Sequence, residues 1–352
     1  MWQFKIHPEF RLQGIGNSNL DEWKEYANEL RNASDISTAE IGEFLLEWFN
    51  SNSTIELTTS GSTGTPKPIH LQKEHMIASA EATAKYFGLY AKTTALLCMP
   101  AKFVAGKMML VRAMHMGWKL DFVPPSQNPL LANNEYDFVA MTPYQVHHSL
   151  VDLHKAKIVL IGGGAVDADL HKQLQSSQSR AYASYGMTET CSHVALRPIN
   201  GPNATEIYQA TKNVHFSVDN RNCLVIDAPR VHKGVLTTND VVELKSETSF
   251  EWKGRFDSVI NSGGVKIHPE IVEQKLSPHL SCNFFIGSLP DTILGNKVVL
   301  LIESEKSLPK EALQTAYQDL DKYEVPKEVF YLKNFLWTDT GKIKRQATLE
   351  LI

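Results

Sequence analysis

Apolar positions recur along this chain with two different periods. Within residues 35–50, Ile41, Phe44, Leu45, Trp48 and Phe49 follow i, i+3, i+4, i+7, i+8 spacing, which predicts an amphipathic helix with Ser37 as N-cap. A second helix is predicted over 73–88, with Met76, Ala80, Ala84 and Phe87 on one face. Short, nearly continuous apolar runs then appear at 94–99, 119–123, 137–141, 157–161 and 181–184, and helical stretches at 106–116, 144–155 and 167–177 lie between most of them. This alternation predicts an α/β fold: a large N-terminal domain with a mainly parallel sheet flanked by helices. From about Asn213 the runs shorten to hairpin spacing, which predicts a small antiparallel β subdomain; 237–240 is expected to be a turn between two of its strands. After Gly254 strands and helices mix again, as in a small α+β C-terminal domain. The expected domains are residues 1–254, β-rich from about 213, and residues 255–352.

Composition changes this picture little. At 43% hydrophobic and 21% charged the chain reads as an ordinary globular protein, and 352 residues suffice for two cores. A net charge of −4 gives no electrostatic case for nucleic acid. Residues 1–14 lack the apolar core of a signal peptide, and no apolar run has membrane-spanning length, so no membrane insertion is expected. The cysteines at 98, 191, 223 and 282 form no Cys-x-x-Cys pair and suit reduced core thiols in the cytoplasm.

Five runs carry candidate chemistry. Thr58-Thr59-Ser60-Gly61-Ser62-Thr63-Gly64-Thr65-Pro66-Lys67-Pro68 follows a β-prone stretch and precedes a helix, an order that presents N–H groups, hydroxyls and a lysine to phosphate oxygens. It is not a Walker loop, because only Ser62 and Thr63 separate Gly61 from Gly64. Gly162-Gly163-Gly164 continues Ala165-Val166-Asp167 and fails the dinucleotide fingerprint. Tyr185-Gly186-Met187-Thr188-Glu189-Thr190 sits at a strand end, where a tyrosine can stack on a base and a glutamate can hold Mg²⁺ beside phosphates. Thr237-Thr238-Asn239-Asp240 offers a carboxylate to ribose hydroxyls. Gly254-Arg255-Phe256-Asp257, continued through Gly263-Gly264 to Pro269-Glu270, places an arginine beside a domain boundary. Thr338-Asp339-Thr340-Gly341-Lys342 places a lysine on a tight turn.

Taken in this order, the runs resemble the adenylate-forming superfamily of acyl- and aryl-CoA ligases, peptide-synthetase adenylation domains and firefly luciferase. The resemblance extends from about Thr58 to Arg345. It implies ATP, Mg²⁺ and coenzyme A, together with a small carboxylic acid, as what the chain binds; a homodimer is a further expectation. By position, Thr59 and the run from Ser60 to Lys67 (Gly61, Ser62, Thr63, Gly64 and Thr65 included) would surround the β- and γ-phosphates. Gly162, Gly163 and Gly164 would line the adenine and acyl pocket. Tyr185, followed by Gly186, would stack on adenine, Thr188 would contact the α-phosphate, and Glu189 would hold Mg²⁺. Asp240 and Arg255 would bind ribose, Asp257 would be the hinge, and Lys342 the mobile catalytic lysine.

The sequence departs from the pattern in three places. Thr238-Asn239-Asp240 stands for the usual Thr-Gly-Asp, Leu336-Trp337 replaces a proline before the last run, and residues 1–57 form a shorter stretch before the phosphate loop than most relatives have. A trimmed N-terminal subdomain is therefore expected. The compact form and the Ile260-Asn261-Ser262-Gly263-Gly264 run are most similar to o-succinylbenzoate–CoA ligases of menaquinone biosynthesis. Another aryl- or fatty-acid-CoA ligase, or a non-catalytic nucleotide- or acyl-adenylate-binding relative, are the alternatives. For the acid, Lys102 or Lys107 is the expected partner of a second carboxylate.

Overall fold

The structure, a computed structural model, describes residues 4–58, 68–130, 134–337 and 343–352. It contains two compact units. The first comprises Met1–Ala165, Gln173–His215 and Ile226–Leu236, and the second Val166–Lys172, Phe216–Val225 and Thr237–Ile352.

The first unit is built on strands β1 (Arg11–Leu12), β2 (Thr54–Thr58), β3 (Pro68–Gln72), β4 (Thr94–Leu97), β5 (Lys119–Phe122), β6 (Tyr136–Met141), β7 (Ala156–Ile161), β8 (Arg180–Gly186), β9 (His193–Pro198) and β10 (Ile207–Ala210). The order β1-β5-β4-β6-β7-β8-β9-β10 is parallel as far as β8 and antiparallel from β8 to β10. The mainly parallel sheet is thus present. Helices α1 (Leu20–Arg31), α2 (Ile36–Phe49), α3 (Lys73–Phe87) and α4 (Val104–Met116) share one core with it, through Trp23, Phe44, Trp48, Met76, Met109, Leu120 and Phe138. Burial of such side chains, at roughly 1.5–3 kcal/mol each, is the main stabilising term.

Helix α2 begins one residue after Asp35, whose carboxylate accepts from Thr38 N at 2.8 Å. Asp35 therefore takes the capping role expected of Ser37, whose own hydroxyl donates to the Asp35 carboxylate at 2.6 Å. Helix α1 was not evident from periodicity, since only Trp23, Ala27 and Leu30 are buried along it. Its signal was the reciprocal pair at its start: Asn19 accepts from Glu22 N, and Glu22 accepts from Ser18 N and Asn19 Nδ2. The two helices meet at Gly42, where a β-carbon would lie 2.5 Å from the Ala27 carbonyl oxygen.

A second difference concerns the phosphate-loop run. Between it and α3 the chain makes β3, antiparallel to β2, so the pair forms a separate two-stranded hairpin. Pro68 opens that strand, a position where its missing N–H is tolerated. The helix expected over 144–155 is also shorter. It runs as α5 (Pro143–His148), capped by a Thr142–Gln145 box, and a 3₁₀ turn follows at Leu153–Lys155; the helix expected over 167–177 is α6 (Ala168–Leu174).

In the second unit, β11 (His215–Val218), β12 (Cys223–Asp227), β13 (Val235–Ser246) and β14 (Ser249–Arg255) lie in the order β14-β13-β12-β11, the small antiparallel part that the spacing predicts. Here 237–240 is not a turn. It lies inside β13, where Val235, Thr237, Thr238, Val241 and Val242 keep the backbone extended and a register shift at Val241/Val242 absorbs the polar insertion. The C-terminal part pairs β15 (Ile260–Ser262) with β16 (Val265–Ile267) across Gly263-Gly264, both at positive φ (58° and 84°), as a two-residue hairpin requires. Strands β17 (Phe284–Asp291), β18 (Gly295–Glu303) and β19 (Glu328–Leu332) complete its sheet. Helices α7 (Pro269–Leu276) and α8 (Lys310–Ala316) pack on it through Val272, Leu276 and Ala316. The expected α/β organisation with an α+β C-terminal part is therefore the observed one.

Candidate active site

In the first unit the candidate residues lie where β7 and β8 end. After Ile161 the chain turns through Gly162-Gly163-Gly164. A β-carbon at Gly162 would sit 2.7 Å from Ser184 Oγ, which itself donates to the Ile161 carbonyl at 3.0 Å. Gly163 has φ +81°, which favours glycine. One strand over, Tyr185 packs edge-on against Tyr208 at 5.9 Å. Gly186 lies against the returning strand: a β-carbon there would fall within contact of the Ser192 carbonyl oxygen and 2.5 Å from His193 Cα. Because both neighbours are backbone, Gly186→Ala is expected to cost about 2 kcal/mol, read as a lowered midpoint in chemical denaturation. An unchanged midpoint would show that the strand end yields.

Thr188-Glu189-Thr190 forms a 3₁₀ turn closed by Cys191 at φ 61°, with Thr190 hydroxyl hydrogen bonds to Met187 and Ser192. The Glu189 carbonyl meets His232 Nδ1 at 3.1 Å, so the backbone of this residue is held and its carboxylate is half-buried. No cluster of three or more metal-ligating side chains occurs among the described residues. A single carboxylate in a polar turn fits Mg²⁺ carried on substrate phosphates rather than in an all-protein cage.

The phosphate-loop run from Thr59 to Lys67 lies outside the described residues, as does Lys342. Their flanks are described. Register Thr58↔Pro68 closes the hairpin on either side of 59–67. At the foot of β3, Lys73 is fully buried and its ammonium donates to the carbonyls of Glu47, Trp48 and Asn50 at 2.9–3.2 Å, which terminates α2 and ties the hairpin to it. Burial pulls this lysine down to about 8, against the opposing effect of Glu47. On either side of 338–342, Trp337 bridges Ile343, and Arg345 makes a fork of two 2.7 Å bonds to Glu273 of α7.

In the second unit Asp240 and Arg255 face each other across β13 and β14. Their charged atoms are 4.0 Å apart, and Trp252 Nε1 donates to Asp240 at 3.2 Å. Arg255 is engaged bidentately with Asp257, both bonds 2.9 Å, and that guanidinium holds the Asp257 carboxyl below the usual range. Three of the predicted residues, Asp240 on one strand and Arg255 and Asp257 at the end of its neighbour, thus form one cluster.

The two lysines proposed for the acid stand elsewhere. Lys102 approaches Glu40 at 3.9 Å, and buried Lys107 approaches Glu47 at 3.5 Å over the face of Phe44. Both turn to carboxylates of α2, so neither is the uncommitted cation that the sequence reading needed.

Such a cation exists at a position the sequence reading missed. Arg112, on α4, is 2% exposed. Its Nε donates to Thr83 Oγ1 at 3.2 Å and its Nη2 to Ser192 Oγ at 2.7 Å, while Nη1 meets only the Met109 sulfur at 3.8 Å. The ion pairs among the described residues include none to Arg112. The contacts to Thr83, Ser192 and Met109 use three of its five guanidinium donors, which leaves two without an acceptor among the described residues. Beside it, His193 is bonded through one ring nitrogen to Thr83 and through the other to Ser192. Burial first, and then the Arg112 charge, push His193 down to about 3, so it is neutral at physiological pH. Burial also lowers Arg112, to about 9, which leaves it protonated. A buried, protonated guanidinium without a carboxylate partner is costly unless an anion completes it. The sequence signal was an arginine within the apolar run of α4, on a helix otherwise rich in Met, Val and Ala.

Residues 50–234 match the family model described as AMP-binding enzyme. The 2-succinylbenzoate–CoA ligase of Staphylococcus aureus strain MSSA476 is 26% identical over 320 residues, covering 82% of this chain and 65% of the relative. The same-named protein of strain Newman is 25% identical and covers 94% of this chain and 73% of its own. The chain thus spans about two thirds to three quarters of the length of these curated relatives. Among solved structures, an acyl-CoA synthetase (AMP-forming)/AMP-acid ligase II-like protein from Dyadobacter fermentans is 36% identical over 93% of this chain and 98% of its own, with TM-score 0.61. The Bacillus subtilis O-succinylbenzoate coenzyme A synthetase, solved with ATP and magnesium ion, is 20% identical and shares the fold at TM-score 0.74 over 84% of this chain. With more than half of its residues matched by the family model and a 36% identical relative along nearly its whole length, this chain belongs to the AMP-binding enzyme family.

Proposed function

We propose that the chain is an ATP-dependent, AMP-forming acid–CoA ligase whose acid is o-succinylbenzoate. The observation that carries the choice of acid is Arg112. It is a buried cation that meets no carboxylate among the described residues and donates to Ser192, three residues from Glu189. An acid with one carboxylate to activate and a second to anchor would satisfy the two idle donors. A fatty acid or simple benzoate would leave the guanidinium buried and unpaired, at a cost of several kcal/mol.

In this reading the reacting carboxylate attacks the α-phosphorus of ATP, pyrophosphate leaves, and the thiol of coenzyme A then displaces AMP from the acyl-adenylate. No enzyme nucleophile takes part, so the chain's contribution is positioning and electrostatics. Tyr185 and Gly162 to Gly164 receive the adenine side, Thr188 meets the α-phosphate, and Asp240 with Arg255 takes the ribose hydroxyls. The run from Thr59 to Lys67 holds the departing pyrophosphate, anchored through its hairpin to Lys73 and α2. Mg²⁺, held by Glu189 and phosphate oxygens, would neutralise charge on the departing group. Residues 255–352 would rotate about Asp257 between the two half-reactions and carry Lys342 in and out of the site. For that motion Arg255 must release Asp257 to reach ribose.

Purified protein incubated with Mg²⁺-ATP, CoA and a panel of acids tests the proposal by AMP release. Release is expected with o-succinylbenzoate and at most weakly with benzoate or octanoate. Release with the monocarboxylates alone would overturn the choice of acid, and none with any acid would favour a binding protein over an enzyme.

A further inference from the structure

The ribose cluster has a neighbour that neither the motifs nor the resemblance assigns. Arg221 lies on the turn between β11 and β12, and its guanidinium has three anchorages. Asp219 takes Nε at 2.8 Å and Nη2 at 2.8 Å, and its other oxygen accepts from the backbone of Arg221 and Cys223 at 2.8 and 2.9 Å, which fixes the turn itself. On the far edge, Nη1 donates to Asn239 Oδ1 at 3.2 Å and Nη2 to the Thr238 carbonyl at 3.3 Å. The flat face lies 5.0 Å from the ring of Phe256, the residue between Arg255 and Asp257.

We propose that Arg221 is a positioning residue that holds the ribose carboxylate and the ribose arginine in register with each other. It grips the two residues immediately before Asp240 and the residue immediately after Arg255, on strands whose register places Asp240 opposite Arg255. This inference rests on the nucleotide-binding reading above. It also gives a role to the departure at Asn239. A glycine there would offer Arg221 no side-chain oxygen, and Asn239 has no positive φ that would call for one. The amide oxygen turns a plain β-strand position into a tether, and Trp252 Nε1 on Asp240 supplies the opposing contact. Lysine in place of Arg221 could keep the charge beside Asp219. It could not reach Asp219, Asn239 and Thr238 at once or present a planar face to Phe256.

The test is calorimetric binding of AMP and 2′,3′-dideoxy-AMP to the full chain. A carboxylate set for ribose hydroxyls makes the unsubstituted protein prefer AMP. Arg221→Met is expected to weaken AMP about tenfold and dideoxy-AMP hardly at all, so that the preference collapses. Arg221→Lys, which retains the charge and guards against misfolding of the methionine variant, is expected to lose most of the preference too. A preference retained in both variants, or equal weakening of both nucleotides, would mean that Arg221 serves only the fold, and would overturn the inference alone. Failure of the unsubstituted protein to bind AMP would overturn the nucleotide reading and this inference with it.

Discussion

Replacing Arg112 with methionine is expected to lower kcat/KM for o-succinylbenzoate about 100-fold while KM for ATP stays within about twofold. Methionine fills a similar volume among Met109, Thr83 and Ser192, so no large cavity should follow. What disappears is a buried charge without a carboxylate, and removing such a charge relieves desolvation. The second half of the expectation is therefore an unchanged or raised melting temperature. A residue whose loss abolishes substrate use while the fold gains stability is one maintained for its ligand. The opposite pattern, unchanged activity with a melting temperature several degrees lower, would make Arg112 a structural link between α4 and the Ser192 segment. Lysine should restore little, since a point charge cannot hold Thr83, Ser192 and a carboxylate together.

Lys342→Ala is expected to slow adenylation by about 10²–10³-fold, the range for removing one preorganised donor from developing phosphoryl charge. Thioesterification of a supplied acyl-adenylate should stay within a few-fold of the unsubstituted protein. The two half-reactions can be read separately, as pyrophosphate release and as CoA-dependent AMP release. Equal losses in both would count against a lysine that serves only the first. The residues flanking 338–342 are held by the Trp337–Ile343 bridge and by the Arg345–Glu273 fork, in which Glu273 also accepts from Ile286 N at 2.8 Å. Burial raises the Glu273 carboxyl above the usual carboxylate range, and the Arg345 guanidinium opposes that rise.

Much of this protein was legible in its residues. The alternation of apolar runs determined a mainly parallel sheet with helices, because a strand covered on both faces must be apolar along its length. The change to hairpin spacing near Asn213 determined the antiparallel part, and Gly263-Gly264 its tight turn. The order of Ser60–Lys67, Glu189, Asp240, Arg255 and Lys342 was enough to indicate adenylate-forming chemistry, since those groups are charged, local and spaced by motif. Other features were decided only in three dimensions. The polar run at 237–240 became part of β13 because neighbouring strands supply hydrogen bonds that a local reading cannot count. Lys102 and Lys107 turned to Glu40 and Glu47 because the fold brings their segment to the carboxylates of α2, which no spacing reveals. Arg112 looked like one charge in an apolar helix. Only tertiary packing buries it against Thr83 and Ser192 with no carboxylate among the described residues to meet it, and that lack of a counter-charge, a property of the folded surroundings, is what supports the proposed acid.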